Sequence, residues 1–274
     1  MSLTLVTGAG GYIGAALFEE LSKERVPALG LSRHPRPGQD VVRGDFTSEK
    51  DLRGLDGLKI ERVCHLAAVT GDCSEEDGLR VNVLGTWRLM RHLVDRGCRK
   101  FVLASSIGAI GSGVSDFVPR TVPVPDEHPC LPRDAYGLSK HLMEETARYF
   151  SRAHGDLEIT VLRLCSIFPS PDLPPKLSSV ERPPRYALAS ITKMTLADAV
   201  SAFRLALMSD LGAGLRIFNA GPQKAWTDIP VAVLLDRWLG GKVSTLHYQN
   251  EAHAFDSVFD VSAIGKELGF VASV

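Results

Sequence analysis

The stretch "TLVTGAGGYIG", Thr4 to Gly14, sets four glycines among eleven residues, directly behind a short apolar run. Leu3, Leu5 and Val6 read as a buried strand, and Tyr12 to Arg25 carries Ile13, Leu17 and Leu21 at the three-to-four spacing of one helix face. The glycines therefore fall at a strand-to-helix turn. Such a turn aims unpaired N–H groups and the positive end of a helix dipole at one point, and missing Cβ atoms let a pyrophosphate come close to the backbone. The spacing is Gly8-x-x-Gly11-x-x-Gly14 with an additional Gly10, which departs from the G-x-G-x-x-G dinucleotide pattern. Taken alone, it leaves open a turn that only packs a helix tightly on a strand.

With 274 residues and 45% hydrophobic content, the chain can bury a large core as one extended domain or as a domain with an appended lobe. Lysines and arginines (31) nearly balance aspartates and glutamates (32), so the formal charge of -1 offers no footprint for nucleic acid or an anionic membrane. No apolar run approaches the ~20 residues of a spanning helix, and the chain enters a strand without a charged leader, so a cytoplasmic location is expected. Cys64, Cys73, Cys98, Cys130 and Cys165 are scattered and form no C-x-x-C pair, which suggests neither a disulfide framework nor a zinc site.

Further apolar runs follow at Pro27 to Leu31, Val41-Val42, Arg62 to Ala68, Lys100 to Ser105, Glu158 to Leu164 and Leu215 to Asn219. Helical stretches separate several of them. One is expected from about Glu75 to Arg96, with Leu79, Val83, Trp87, Met90 and Val94 on its buried face and Gly97 as its stop. Others are expected over Ala135 to His154, Thr195 to Met208 with Thr195 as N-cap, and Ile229 to Leu239; Asp260 caps a last short helix that Gly269 closes. Strands alternating with helices imply an α/β fold, a doubly wound Rossmann-type parallel sheet with helices on both faces. Phe168 to Arg185 holds six prolines and reads as a loop. It marks the expected boundary between a dinucleotide-binding layer, 1–167, and a small C-terminal substrate lobe, 168–274, interleaved with the core.

Tyr136 and Lys140 in "AYGLSK" stand four apart at a helix start and so project from one face. Ser105 and Ser106 end the strand before that helix, at the edge of the sheet where ligands bind. With these residues in place the chain resembles the short-chain dehydrogenase/reductase superfamily, in the extended branch of the NAD-dependent epimerase/dehydratase family. The matching elements run through most of the chain: TGxxGxxG over Thr7 to Gly14, Asp45 in "GDF", "HLAA" over His65 to Ala68, and Asn82 in "NVLGT". Ser106 in "ASSIGAIG", "YGLSK", Arg163 in "LRL" and Asn219 in "FNAG" complete them.

The resemblance implies a nicotinamide dinucleotide along Gly8, Gly11, Tyr12, Ile13 and Gly14, then along Ser32, Arg33, Asp45 and Phe46. It continues over Leu66, Ala67, Ala68, Asn82 and Ile167 to Tyr136 and Lys140. Ser106, Tyr136 and Lys140 are the implied catalytic residues, and Thr70, Ser106 and Ser166 are expected to touch substrate. A phenol with an ordinary pKa near ~10 is a poor acid or base at neutral pH, and a neighbouring ammonium, here Lys140, lowers it toward the working range. Ser32 stands where the family places an acid for the ribose hydroxyls of NAD, and Arg33 follows it, so NADP is the expected cofactor, with NAD as the alternative.

His65 is read as structural, His141 as facing away from the site, and Asp126-Glu127-His128 as a solvated loop that substrate can reach; none has metal-ligand spacing, and no metal is expected. The chain departs from the family in "IFPSP", where Pro169-Ser170 replaces a Gly-Pro, in a reduced substrate insertion, and in ending soon after Phe270. Uronate dehydrogenases are similar in size, but their S-S-N-H signature is absent here, because Ile107-Gly108 follows Ser106. These features favour a small substrate. The expected activity is an NAD(P)-dependent oxidoreductase acting on a carbonyl or secondary alcohol of a sugar or polyol, in a chain able to form a homodimer. A sugar epimerase or dehydratase with retained cofactor is the alternative, and a non-catalytic dinucleotide sensor a third, disfavoured by the intact Ser106, Tyr136 and Lys140.

Overall fold

Two adjacent residues of the first strand point into two different cores. Leu5 packs in one apolar cluster and Val6 in another, and the same alternation holds for Val63 and Cys64, Leu103 and Val102, and Val161 and Leu162. A strand that is apolar on both sides must be covered on both sides. The computed structural model describes residues 3–35, 40–168, 173–183 and 187–274. The expectations at Pro169, Ser170, Pro171, Pro184 and Arg185 lie outside the described residues.

In chain order the elements are β1 (Leu3–Thr7), α1 (Tyr12–Lys23), β2 (Ala28–Ser32), β3 (Val41–Arg43), α2 (Glu49–Arg53), β4 (Ile60–His65) and α3 (Glu75–Asp77). A π-helical segment (Gly78–Gly85) runs into α4 (Thr86–Val94), followed by β5 (Lys100–Ser106), a 3₁₀ turn (Ile107–Ile110), α5 (Ala135–Ala153), β6 (Glu158–Leu164) and β7 (Ser166–Ile167). Then come α6 (Ala187–Ser190), β8 (Lys193–Met194), α7 (Leu196–Met208), β9 (Gly214–Ala220), α8 (Val231–Leu239), 3₁₀ turns at Leu246–Gln249 and Glu251–His253, and α9 (Ser262–Leu268). Seven strands form one parallel sheet in the order β3-β2-β1-β4-β5-β6-β9, and β7 pairs with β8 apart from it.

The order reverses between β1 and β4, which opens a crevice above their carboxyl ends, the place where doubly wound sheets bind ligands. Residues of α1, α7 and α9 cover one face through Leu17, Leu21, Phe203 and Ile264; α4 and α5 cover the other through Leu89, Met90, Met143 and Phe150. A third cluster, with Ile110, Phe117, Val124, Leu234, Trp238 and Phe259, lies beyond the end of β5. The portion after Phe168 supplies β9 and α7 to the main layers as well as most of this third cluster, so the two parts interlock.

Caps explain several boundaries. The Thr195 hydroxyl and the Asp198 carboxylate exchange hydrogen bonds with each other's backbone N–H at the start of α7. At the last helix Val261 takes the N-cap position rather than Asp260, whose Oδ1 accepts from the Ser262 N–H at 2.9 Å, one residue from where the sequence places it. Two larger departures matter for the site. β4 stops at His65 instead of continuing to Ala68, because the Thr7 hydroxyl takes the Ala67 N–H and Asn82 takes both backbone groups of Val69.

The helix expected over Glu75 to Arg96 is not wound uniformly either. Its π-helical turn breaks the 3.6-residue period, so Leu79 and Trp87 stand about 40% exposed while Val81, Asn82, Gly85 and Thr86 face inward. Two glycines permit that packing: a Cβ on Gly78 would meet Ser139 Cβ at 3.0 Å, and one on Gly85 would meet the Phe46 ring at 2.7 Å.

Beneath the sheet's carboxyl edge, α5, β5 and β6 are joined by a buried ion pair. Arg163 donates from Nε and Nη2 to the two oxygens of Glu144 at 2.9 and 2.7 Å, Ser105 donates to the same carboxylate at 2.6 Å, and both charged side chains are 1% exposed. Removing one partner strands the other charge, whereas removing both does not. Arg163→Met alone is expected to lower unfolding free energy by about 3–5 kcal/mol in urea titrations, and Arg163→Met combined with Glu144→Leu to recover most of that loss.

Candidate active site

The glycine turn owes its shape chiefly to contacts within the protein. Gly8 has φ +71°, and a Cβ there would lie 2.8 Å from the Ala67 nitrogen; one on Gly14 would lie 2.1 Å from the Gly8 carbonyl oxygen. Gly10 is likewise closed off, by the His34 carbonyl at 2.5 Å. Gly11 differs: its nearest neighbour would be the Gly8 oxygen at 3.1 Å, and its own nitrogen donates to that oxygen at 2.8 Å. Helix α1 begins here with no side-chain cap and no acidic residue in its first turn. Its leading N–H groups and dipole are left for an anion above the turn, which fits a pyrophosphate.

A cleft of about 280 Å³ extends from this turn, lined by Gly8, Gly11, Ser32, Arg33, Asp45, Phe46, Leu66, Ala67 and Ala68 from the expected set. His34, Thr47, Arg80 and Val81 also line it, and the sequence reading did not include them. Arg80 sits two residues before Asn82 on the π-helical segment, a placement that helical periodicity alone does not reveal. Asp45 turns its Oδ1 to the Thr47 N–H and hydroxyl at 2.9 and 2.8 Å, which shapes the loop at this end of the cleft. Tyr12, Ile13, Gly14, Asn82, Ile167, Tyr136 and Lys140 do not line this portion.

The wall behind the cleft is a chain of hydrogen bonds. Thr7 bonds His65 Nδ1 at 2.6 Å, His65 Nε2 bonds Thr86 at 2.9 Å, and Thr86 donates to the Asn82 carbonyl at 2.6 Å. Because the Thr86 proton goes to Asn82, the imidazole donates from Nε2 and accepts at Nδ1. Burial, with the nearby Lys140 charge, pushes the His65 pKa down to about 3, so the ring is neutral. The Asn82 amide is spent on both backbone groups of Val69 and on Ser139, all within 2.9 Å, so Asn82 stands behind the wall and holds it.

Tyr136, Lys140 and Ser106 meet at the ends of α5 and β5. Asp134 caps α5 by accepting from the Gly137 N–H at 2.8 Å, which fixes the first turn that carries Tyr136. Lys140 Nζ lies 5.7 Å from the Tyr136 ring centroid and donates to the Ala104 carbonyl at 2.8 Å. The ammonium is buried, and burial pushes its pKa down to about 8 against the pull of Glu144. Ser106 Oγ accepts from the Gly108 N–H at 3.0 Å. A Cβ on Gly108 would sit 3.3 Å from that oxygen and 3.6 Å from the Tyr136 ring, so Gly108 keeps the space between the two hydroxyl-bearing residues clear. Sequence reading passed over Gly108; its only signal is a glycine two residues after the strand-end serine.

On the far side, the Tyr12 hydroxyl donates to the Phe168 carbonyl at 3.1 Å and so ties α1 to the segment that follows Ile167. Ser166 and Ile167 pair with Lys193 and Met194, and Thr70 is exposed just past the clamped Val69. The 126–128 segment is no solvated loop: only Glu127 is exposed, whereas His128 is buried between the Arg120 N–H and the Pro129 carbonyl. Burial pushes the Asp126 carboxyl up to about 7, although it accepts from the Asn219 N–H. Its neighbours explain the miss, because Arg163 and Asn219 reach this segment from β6 and β9, far away in sequence. His141 is half-buried.

A doubly wound sheet with a glycine cradle at its switch point and a Ser-Tyr-Lys cluster at its carboxyl edge defines a nucleotide-binding α/β protein. A sequence model of the NAD dependent epimerase/dehydratase family matches residues 4–182, and the chain belongs to this family. Among its relatives, a putative UDP-glucose 4-epimerase of Methanocaldococcus jannaschii is 30% identical over 178 residues, 61% of this chain and 56% of that one. An NAD-dependent glucose-6-phosphate dehydrogenase of Haloferax volcanii is 31% identical over 183 residues, covering 58% and 66%. The chain spans about half the length of most of the curated relatives it matches. A short-chain dehydrogenase/reductase superfamily protein of Agrobacterium tumefaciens, solved with bound NAD, superposes with TM-score 0.74 at 23% identity over 99% of this chain and 93% of that one. Among the described residues no helix is long and apolar enough to cross a membrane.

The buried ammonium has a measurable thermodynamic signature. The folded pKa of Lys140, about 8, lies below its ordinary 10.5, so between these values the unfolded chain binds more protons and stability rises with pH. Below about pH 8 the cost of burying the charge is fully present. Lys140→Met is therefore expected to match or exceed wild type in urea stability at pH 7, with the difference narrowing toward pH 10. A variant less stable than wild type at pH 7 would contradict this account.

Proposed function

We propose that the protein is an NAD(P)-dependent oxidoreductase acting on a carbonyl or secondary alcohol of a sugar or related small polyol. The observation that carries this reading is the placement of Lys140, buried beside the Tyr136 ring, with Ser106 across Gly108 from the same ring. A nicotinamide dinucleotide with its diphosphate end in the cleft would, when bound, supply the hydride acceptor or donor for the reacting carbon. Gly11, with the first turn of α1, holds the pyrophosphate; Ala67 and Ala68 flank the dinucleotide, and Lys140 reaches its ribose. Ser106 donates a hydrogen bond to the substrate oxygen, and Tyr136 takes that oxygen's proton during oxidation and returns it during reduction. The Lys140 ammonium favours the phenolate that Tyr136 becomes after taking the proton. The part of the chain after Phe168, with Ser166 at its edge, forms the substrate side.

Tyr136→Phe removes only the proton carrier. It is expected to leave the fold and dinucleotide affinity near wild type while lowering turnover by about 10²-fold or more. Lys140→Met is expected to weaken dinucleotide binding as well, by about ten-fold. Turnover near wild type in Tyr136→Phe would overturn the assignment.

NADP preference is part of the same proposal. Ser32 carries no charge to repel a 2′-phosphate, and Arg33 and Arg80 line the cleft near it. Arg33→Ala is expected to reduce NADP affinity about ten-fold in a fluorescence titration and to leave NAD affinity unchanged; equal wild-type affinities for both would refute the preference.

Epimerisation is the second reading, favoured by the relative described as a putative UDP-glucose 4-epimerase. An epimerase regenerates its cofactor within each turnover, so a sugar panel assayed at the absorbance of reduced nicotinamide separates the two. Net absorbance change beyond one equivalent supports the oxidoreductase. Interconversion of two epimers without it supports the epimerase.

A further inference from the structure

Two histidines and an aspartate converge in the C-terminal part of the chain, among residues that the reading above leaves unused. His247 Nε2 lies 3.0 Å and His253 Nδ1 2.7 Å from the same oxygen, Asp256 Oδ2. The two imidazoles stack at 4.7 Å between centroids with 29° between planes. The three potential ligand atoms all lie within 4.8 Å of one another. None of these residues lines the dinucleotide cleft.

We propose that His247, His253 and Asp256 form a binding site for a divalent first-row transition-metal cation, with Zn²⁺ as its representative. Two imidazole nitrogens and one carboxylate oxygen suit a borderline cation of this kind, whereas Mg²⁺ and Ca²⁺ favour all-oxygen sets. Water completes the coordination. In the absence of a cation, two ring N–H groups crowd onto one carboxylate oxygen. A cation takes their place when each neutral ring carries its proton on the other nitrogen, so that His247 Nε2 and His253 Nδ1 offer lone pairs beside the Asp256 carboxylate; zinc bonds to such atoms run about 2.0–2.2 Å.

The surroundings are built to hold the three groups in place. Lys224 Nζ binds the other Asp256 oxygen, Oδ1, at 2.6 Å, so Oδ2 is the oxygen shared by the two rings. Tyr248, between the histidines in sequence, is buried and donates to the Ser257 carbonyl at 2.9 Å. The Asp256 N–H closes back on the His253 carbonyl at 3.0 Å, and the neighbouring Phe255 carbonyl accepts from the Ala225 N–H at 2.8 Å. At 46% and 34% exposure, His253 and His247 leave the site open to an entering ion.

The three buried cysteines compete poorly for the same ion. Cys64, Cys98 and Cys165 are buried, and burial raises their pKa values, so they stay protonated. A cation bound at the triad would tie the two 3₁₀ turns, Leu246–Gln249 and Glu251–His253, to the strip that pairs Lys224 with Asp256. It would stabilise the folded chain by mass action.

The test is calorimetric titration of the intact, chelator-stripped protein with Zn²⁺, alongside thermal unfolding with and without the ion. Wild type is expected to bind one equivalent and to unfold at a higher temperature when Zn²⁺ is present. His247→Ala and His253→Ala, at partly exposed positions, are each expected to keep the metal-free unfolding temperature and to bind at least about ten-fold more weakly. Lys224→Met removes a competing positive charge without removing a ligand and is expected to bind no more weakly than wild type. Undiminished Zn²⁺ binding in both histidine variants would overturn the proposal, as would a loss in Lys224→Met equal to theirs.

Discussion

Gly14 and Gly8 touch where one side-chain atom would keep them apart. With 2.1 Å between the Gly8 oxygen and the place a Gly14 Cβ would occupy, α1 can rest on the end of β1 only if that atom is missing. The contact decides how steeply the helix leaves the sheet, and so where its uncapped N–H groups point. Gly8 presses on Ala67 in turn, so the same turn positions the segment after β4. Cradle and wall are consequently one unit, joined through backbone.

That unit is fastened to the Ser106, Tyr136 and Lys140 cluster by polar groups that do not line the cleft. The Thr7–His65–Thr86 bonds connect β1, β4 and the start of α4, and Asn82 passes the connection to Ser139, whose hydroxyl donates to the Tyr136 carbonyl. Glu144, one turn beyond Lys140, anchors the same helix to β5 and β6 through Ser105 and Arg163. Helix α5 is thereby held at Tyr136 and again at Glu144. Lys140 between these anchors is held away from water, with the Ala104 carbonyl as its hydrogen-bond partner.

Much of this was legible in the sequence because it depends on short-range spacing. Glycines three apart after an apolar strand, a tyrosine four residues before a lysine, and strands alternating with helices each state a local geometry, and a parallel sheet covered on both faces follows from that alternation. What escaped depends on distant partners. The face of the helix after Ser74 could not be read at a 3.6-residue period, since a π turn presents Asn82 to Val69 and Ser139. Asp126 and His128 look solvent-bound in a segment rich in charge, yet Arg163 and Asn219 enclose that segment from β6 and β9. Asn82 stood out through its family signature, and its amide bonds both backbone groups of Val69 and the Ser139 hydroxyl, partners distant in sequence. The triad at His247, His253 and Asp256 is invisible as a pattern because the intervening turns, rather than a helix or strand period, bring its atoms together.

The cradle is defined by what is missing from it, and this limits how it can change. Gly8, Gly10 and Gly14 are each held by backbone or by the base of a neighbouring loop, so no exchange of side chains there can tune the pocket by degrees; a residue either fits or displaces the helix. Adjustment is left to the rim, where residues such as Arg33 and Arg80 line the cleft outside the strands of the sheet. A lineage built on this turn can therefore vary the rim of the cleft residue by residue, while the backbone shape of the turn itself stays invariant.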